Sequence, residues 1–161
     1  LEFRRVLFRS AESVFSIAEQ IHSLHERKEV FEEKIRLFPE GCRGLYTDNT
    51  LTGYGIAHPW KLYAAPHLDD YIQILPENPS CMYIHDAALL PYMRGKGLMH
   101  EYISYVKVLA EDLKIETIAL VSVNGTAGFW SKQGFASVDE KLVKTSLDAY
   151  GESAVYMVRR V

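Results

Sequence analysis

Two apolar runs, residues 81–90 and 117–123, bracket a stretch of helical periodicity, and this arrangement constrains the fold more than any other feature of the chain. A continuous apolar run of strand length suits a strand buried on both faces. Between the runs, Leu98, Tyr102, Tyr105, Val106 and Leu109 fall on or near one face of a helix expected over about 97–113. Strand, helix and strand in succession require helices layered on a sheet, so the chain reads as α/β with a mixed (α+β) sheet.

The flanking segments extend this pattern. From Ser13 to Leu37 apolar residues recur at helical spacing, which predicts one bent helix or two, ended by Pro39-Glu40-Gly41. Residues 42–47 and 51–57 read as strands joined by the turn Asp48-Asn49-Thr50. His58 to Ser80 is a long connection with four of the six prolines, whose only helical hint is Leu68 to Leu75. A short helix is expected over about 126–133, and final strands over 135–139 and 153–159.

At 161 residues with 48% hydrophobic content, one core and one domain suffice. The first ten residues stand apart. Leu1 to Ser10 resemble the codon-by-codon translation of a sequencing-library adapter, so the natural domain is expected over 11–161, with its own beginning missing. That loss should leave an open sheet edge beside residues 42–47. Without the three arginines and one glutamate of that segment, the net charge moves from −3 to −5. A mildly acidic domain lacks the electrostatic footprint of a nucleic-acid binder and would attract a cationic amine. No apolar run approaches the ~18 residues of a membrane span, and no signal segment is evident, so the expected location is the cytoplasm. Cys42 and Cys81 lie far apart without metal-ligand spacing, which predicts two buried thiols and no metal site.

The segment Pro91-Tyr92-Met93-Arg94-Gly95-Lys96-Gly97-Leu98 links the first apolar run to the helix. Glycines let the backbone turn tightly, and the first N–H groups of a helix lack internal partners, so such a turn suits a phosphate. The bland alternative is a strand-to-helix turn with a solvated Arg and Lys. It is not a P-loop, because Lys96 is not followed by Ser or Thr. A second segment follows the second run: Asn124-Gly125-Thr126-Ala127-Gly128-Phe129-Trp130-Ser131-Lys132-Gln133-Gly134-Phe135.

Together these segments resemble the GNAT superfamily of acyl-CoA N-acetyltransferases, over about residues 28–161. The first resembles that family's Arg/Gln-x-x-Gly-x-Gly/Ala signature, which opens the helix beneath the CoA pyrophosphate. Arg94 and Gly97 match it, whereas Met99 occupies the last small-residue position. The resemblance implies a fold whose two central strands splay apart to admit pantetheine, with acetyl-CoA as acyl donor. It implies CoA contacts from Leu89, Leu90, Arg94, Gly95, Lys96, Gly97, Leu98, Met99, Asn124, Phe129 and Trp130. The acceptor would be a small-molecule or peptide amine, and the enzyme a monomer or homodimer. Trp130 stands where the family often has Tyr, and an indole N–H cannot protonate a departing thiolate.

His85-Asp86 is the remaining candidate. Simple strand alternation sets Tyr83, His85, Ala87 and Leu89 on one face and Ile84, Asp86 and Ala88 on the other. An alkylammonium must lose a proton before attack, and imidazole suits that task. His85 also falls where some arylalkylamine acetyltransferases carry a relay histidine, so His85 and Asp86 are the expected catalytic pair. A buried histidine satisfied by its neighbours is the competing reading. His22 and His25 read as surface residues rather than metal ligands. His58-Pro59-Trp60 is expected either to border the acceptor cleft or to cap the core. The departures at Met99 and Trp130 also leave a non-catalytic acyl-CoA-binding or regulatory domain as the alternative function.

Overall fold

The computed structural model describes residues 2–5 and 10–161; residues 1 and 6–9 of the adapter-like segment lie outside that range. Among the described residues seven strands form one sheet: β1 (Glu2–Arg5), β2 (Cys42–Thr47), β3 (Thr50–Trp60), β4 (Cys81–Leu89), β5 (Thr117–Ser122), β6 (Ala136–Ser137) and β7 (Val155–Arg160). Their order is β1-β2-β3-β4-β5-β7-β6. Neighbours are antiparallel except β4 and β5, which run parallel. Helices α1 (Ala11–Ile21) and α2 (Lys28–Leu37) precede β2, α3 (Leu98–Asp112) connects β4 to β5, and α4 (Ala127–Lys132) follows β5. This is the α/β mixed sheet that the sequence predicts.

The helices cover opposite faces because their apolar stripes differ in what they meet. Val14, Ile17 and Ala18 of α1 with Phe31 and Ile35 of α2 pack on Tyr54, Ile56 and Ala88. Tyr102, Ile103, Val106 and Ala110 of α3 pack on Ala57, Met82, Ile84, Ile118 and Leu120 of the other face. Helix α3 sits close enough that a Cβ at Gly55 would lie 2.3 Å from the Tyr102 ring, so only glycine permits that approach. The expected 13–37 helical region resolves as two helices, the second ending at Leu37 because Pro39 disfavours helical geometry at Phe38.

Four expectations are corrected. The edge of β2 is not open: β1 pairs with it antiparallel from Glu2↔Tyr46 to Arg5↔Arg43. Leu68 to Leu75 form no helix, because the segment is held by contacts outside itself; Glu33 of α2 accepts the N–H groups of Ile72 and Gln73 at 2.7 Å each. The 135–139 strand shrinks to Ala136–Ser137. The fourth correction concerns the site. The β3–β4 register shifts between Ile56 and Ala57, with Ile56 opposite Asp86 and Ala57 opposite Ile84, leaving His85 as the extra residue of a bulge. A bulge breaks the two-residue alternation and re-aims side chains. As a result His85, Asp86 and Ala88 face α1 and α2 together, while Ile84 and Ala87 face α3.

Only Met82↔Ile118 and Tyr83↔Ala119 pair across the parallel seam of β4 and β5. Beyond them β5 stays paired with β7 as far as Ser122, and β4 stays paired with β3 as far as Leu89. The two central strands thus diverge, and the divergence opens the cavity described next.

Candidate active site

The bottom of that opening is the turn before α3. Gly95 and Gly97 hold φ of +74° and +75°, and Gly97 caps α3 without any side chain satisfying its first N–H groups. A Cβ at either glycine would meet nothing within 4 Å, so both face open space, and their role is to supply the left-handed backbone. Fifteen residues of α3 stand behind this uncapped end. Free N–H groups and helix dipole favour an anion there.

The strand wall offers a second set of backbone donors. Leu90 N–H donates to the Thr52 carbonyl at 3.0 Å, so by the alternation of an antiparallel ladder the Leu89 N–H turns away from β3, towards the gap left by β5. The Leu89 carbonyl accepts from Arg94 Nε at 3.3 Å. One cavity of about 810 Å³ extends from this turn, between β4 and β5, to the helices on the other side of the gap. Its lining includes Leu89, Arg94, Gly95, Gly97, Leu98, Met99, Asn124, Phe129 and Trp130. Leu90 and Lys96 are outside it: the Leu90 N–H is spent on Thr52, and Lys96 is exposed beyond the turn. Asn124 accepts from Ser23 Oγ at 3.0 Å, tying the end of β5 to the segment after α1. Trp130 packs edge-on against Phe135 with ring centroids 5.6 Å apart.

Ionisable side chains gather at the far end of the cavity. His85 Nε2 lies 3.2 Å from both carboxylate oxygens of Glu26, which comes from the loop between α1 and α2. Glu26 also accepts the Asp69 N–H at 3.0 Å and lies 3.9 Å from Lys34 Nζ. Burial works against its charge, but His85, Lys34 and the Asp69 N–H outweigh burial and bring its pKa down to about 2. Lys34 itself is fully enclosed, and burial lowers its pKa. The His58 ring lies 5.9 Å from His85; burial first, and His85 second, bring His58 down to about 3, so it stays neutral.

Asp86 belongs to a second group on the same face. Its Oδ2 accepts from Tyr54 OH at 2.5 Å, and its Oδ1 lies 2.8 Å from His22 Nε2 at the C-terminal end of α1. Burial favours neutral His22, yet the hydrogen bond and charge of Asp86, with Glu26 behind, prevail and raise its pKa. His22, Glu26, His85 and Asp86 all line the cavity, beside an apolar wall that includes Leu24, Phe31 and Leu68.

The surface role expected of His22 is therefore wrong, whereas His25 is exposed and pairs with Glu19 at 3.3 Å. Sequence reading also missed Glu26, Lys34 and Tyr54. Tyr54 of β3 and Asp86 of β4, which lie diagonally across the strand pair, carry a weak signal, two polar groups in neighbouring apolar strands; Glu26 sits in a polar loop and carries none. His58 borders the His85 cluster, and Trp60 donates from Nε1 to the Ala64 carbonyl at 2.6 Å, closing the start of the long connection. Cys42 and Cys81 are buried, and burial pushes the Cys81 thiol up to about 12. Among the described residues no group of three or more His, Cys, Asp or Glu side chains is placed to hold a metal ion, and no helix is long and apolar enough to cross a membrane.

Comparison with known proteins agrees with this geometry. Residues 7–135 match the acetyltransferase (GNAT) family, and the chain belongs to that family. No curated protein matches it in sequence. Among solved structures, the GNAT-like decarboxylase GphF in complex with isobutyryl-CoA superposes with a TM-score of 0.81 at 12% identity, covering 99% of both chains. Ard1 from Thermoplasma volcanium gives 0.76 at 16% identity, covering 99% of this chain and 97% of that one. Naa50 of Arabidopsis thaliana, solved with the bisubstrate analogue CoA-Ac-MVNAL, gives 0.73 at 15% identity over 98% and 95%. At these identities the likeness is one of fold.

Proposed function

We propose that this domain, residues 11–161, transfers an acetyl group from acetyl-CoA to a primary amine by direct attack in a ternary complex. The observation that carries the reading is the single cavity running from the uncapped end of α3, through the gap between β4 and β5, to the carboxylate and imidazole groups beyond. The family's members bind CoA or acyl-CoA, and this cavity suits one: an anion-binding turn, a strand edge with unpaired amides and an amine-attracting far end.

Acetyl-CoA supplies the thioester. The α3 N-terminus and the Arg94–Gly97 turn hold its pyrophosphate, Met99, Asn124, Phe129 and Trp130 line its path, Leu90 precedes the turn and Lys96 is exposed within it. The Leu89 N–H is the donor that polarises the thioester carbonyl, an electrostatic contribution that often dominates acyl transfer. Asp86 and Glu26 attract the ammonium, and the cluster of His22, Glu26, His85 and Asp86 provides for removal of its proton, directly or through water. The acceptor is a small-molecule or peptide amine; the Naa50 structure, solved with the bisubstrate analogue CoA-Ac-MVNAL, suggests this class.

A second reading, a non-catalytic acyl-CoA-binding domain, is favoured by Trp130, which has no ionising proton to give a thiolate. The test is release of free CoA from acetyl-CoA, followed by thiol titration, with an arylalkylamine, a polyamine, an amino acid and a tetrapeptide as acceptors. Amine-dependent release supports transfer. Tight CoA binding without release for any acceptor supports the second reading.

A further inference from the structure

Two histidines reach the far end of the cavity, and their surroundings suit them to different tasks. The His85 side chain is 2% exposed, its Nε2 is held between both oxygens of Glu26, and its Nδ1 is buried without a partner. An amine in the cavity has almost no approach to it. His22 is 20% exposed, and its Nε2 faces a carboxylate that is itself fixed by the Tyr54 hydroxyl. That chain of Tyr54, Asp86 and His22 orients the imidazole as a carboxylate orients the histidine of a nucleophile-activating triad. His22 Nε2 is buried against Asp86 in an ion-pair contact of 2.8 Å that lacks hydrogen-bond geometry, which leaves Nδ1 as the ring nitrogen to take a proton from the cavity.

We infer that His22, oriented by Asp86 and Tyr54, is the group that accepts the acceptor amine's proton, and that His85 with Glu26 and Lys34 is a buried brace that positions the α1–α2 loop around it. This rests on the transfer reading above. In the step, the ammonium gives one proton to His22 Nδ1 and the freed amine attacks the thioester carbonyl. A carbon–nitrogen bond forms and the carbon–sulfur bond breaks. The sulfur leaves as the thiolate of CoA and takes a proton from water; the second proton shed by the nitrogen also passes to solvent.

The groups facing His22 set the pH at which it works. Asp86 on β4 and Glu26 in the loop favour its charged form, while burial and Arg94 from the turn before α3 oppose them. Lys34 of α2 stands behind Glu26 and Tyr54 of β3 behind Asp86. The net effect raises His22, so its accepting form appears only above the ordinary imidazole value of about 6.5.

The experiment measures kcat/KM against pH on the full chain, with acetyl-CoA and the best acceptor of the panel above. His22→Gln should lower kcat/KM by about 100-fold and remove the rising limb, with CoA affinity unchanged. Asp86→Asn should move the limb to lower pH, because the charge that raises His22 is gone. His85→Gln should lower the rate while leaving the midpoint of the limb in place. A limb that survives in His22→Gln and vanishes in His85→Gln overturns the inference. Imidazole NMR titration decides independently of turnover: His22 should titrate above the ordinary value in the parent chain and drop in Asp86→Asn. A His22 that titrates at or below the ordinary value, or ignores Asp86→Asn, overturns it even if no amine is accepted, whereas a parent chain that binds CoA and accepts no amine defeats the transfer reading alone.

Discussion

The two ends of the cavity are built on different principles. At the α3 end, the groups that would meet an anion are backbone amides, and the shape comes from consecutive residues, Arg94 to Leu98, whose two glycines hold left-handed φ. At the far end, the polar groups are side chains from the end of α1, the α1–α2 loop, β3 and β4, and they hold one another by charge. A backbone site tolerates changes in surface charge and fails when its dihedrals are disturbed. A side-chain site in low dielectric fails when one partner is removed, because the other is left buried and unpaired.

The largest effect tests the second half of that contrast. Glu26→Gln keeps size and can still accept the Asp69 N–H, but it leaves Lys34 enclosed beside a neutral partner. Breaking such a pair costs on the order of 3–5 kcal/mol. For a chain of this length that amounts to a fall in Tm of about 10 °C in a melting experiment. A change of only a degree or two would show that the far end is held by packing rather than by charge.

Next comes the backbone end. Gly97→Val forces a β-branched residue into φ +75°, where strain of about 1–3 kcal/mol, if it displaces the turn, corresponds to a loss of about 5- to 150-fold in CoA affinity. Lys96→Ala, which removes an exposed charge outside the cavity lining, should change affinity by less than about fivefold. Calorimetry with CoA would break the comparison if the lysine change proved the worse of the two.

The smallest effect is a slope against pH. His58 is neutral in both folded and unfolded chains above pH 6.5, so it contributes nothing there. As pH falls from 6.5 towards about 3, the unfolded chain takes up a proton that the buried ring refuses, and stability is lost through that window. Glu26 adds a loss below about pH 4.5, where the unfolded carboxylate binds a proton before the folded one does. His58→Phe should therefore flatten the fall in Tm between pH 7 and 5 while leaving the steeper loss below 4.5. An unchanged slope would show that other groups set the acid limit.

Sequence reading succeeds where the physics is local. The runs at 81–90 and 117–123 are β4 and β5 because an apolar stretch of that length has few other uses, and the Arg94–Gly97 turn is recognisable because its glycines and the following helix are contiguous. His85 and Asp86 were found as ionisable residues in an apolar strand, yet their facing was misjudged. Alternation holds only in an unbroken ladder, and the β3–β4 bulge lies in the pairing of two strands, which neither strand records by itself.

The amino-acid sequence by itself determined the order of the central strands and helices, the glycine turn before α3 and the family, because each depends on periodicity or on residues adjacent in the chain. Tertiary structure alone decided how far β4 and β5 diverge, that β1 closes the edge of β2, and that His22, Glu26 and Tyr54 meet His85 and Asp86. The physical reason is that a buried charge is tolerated only beside a partner, and those partners lie as far as 64 positions apart, from His22 to Asp86, joined through packing that no local pattern encodes.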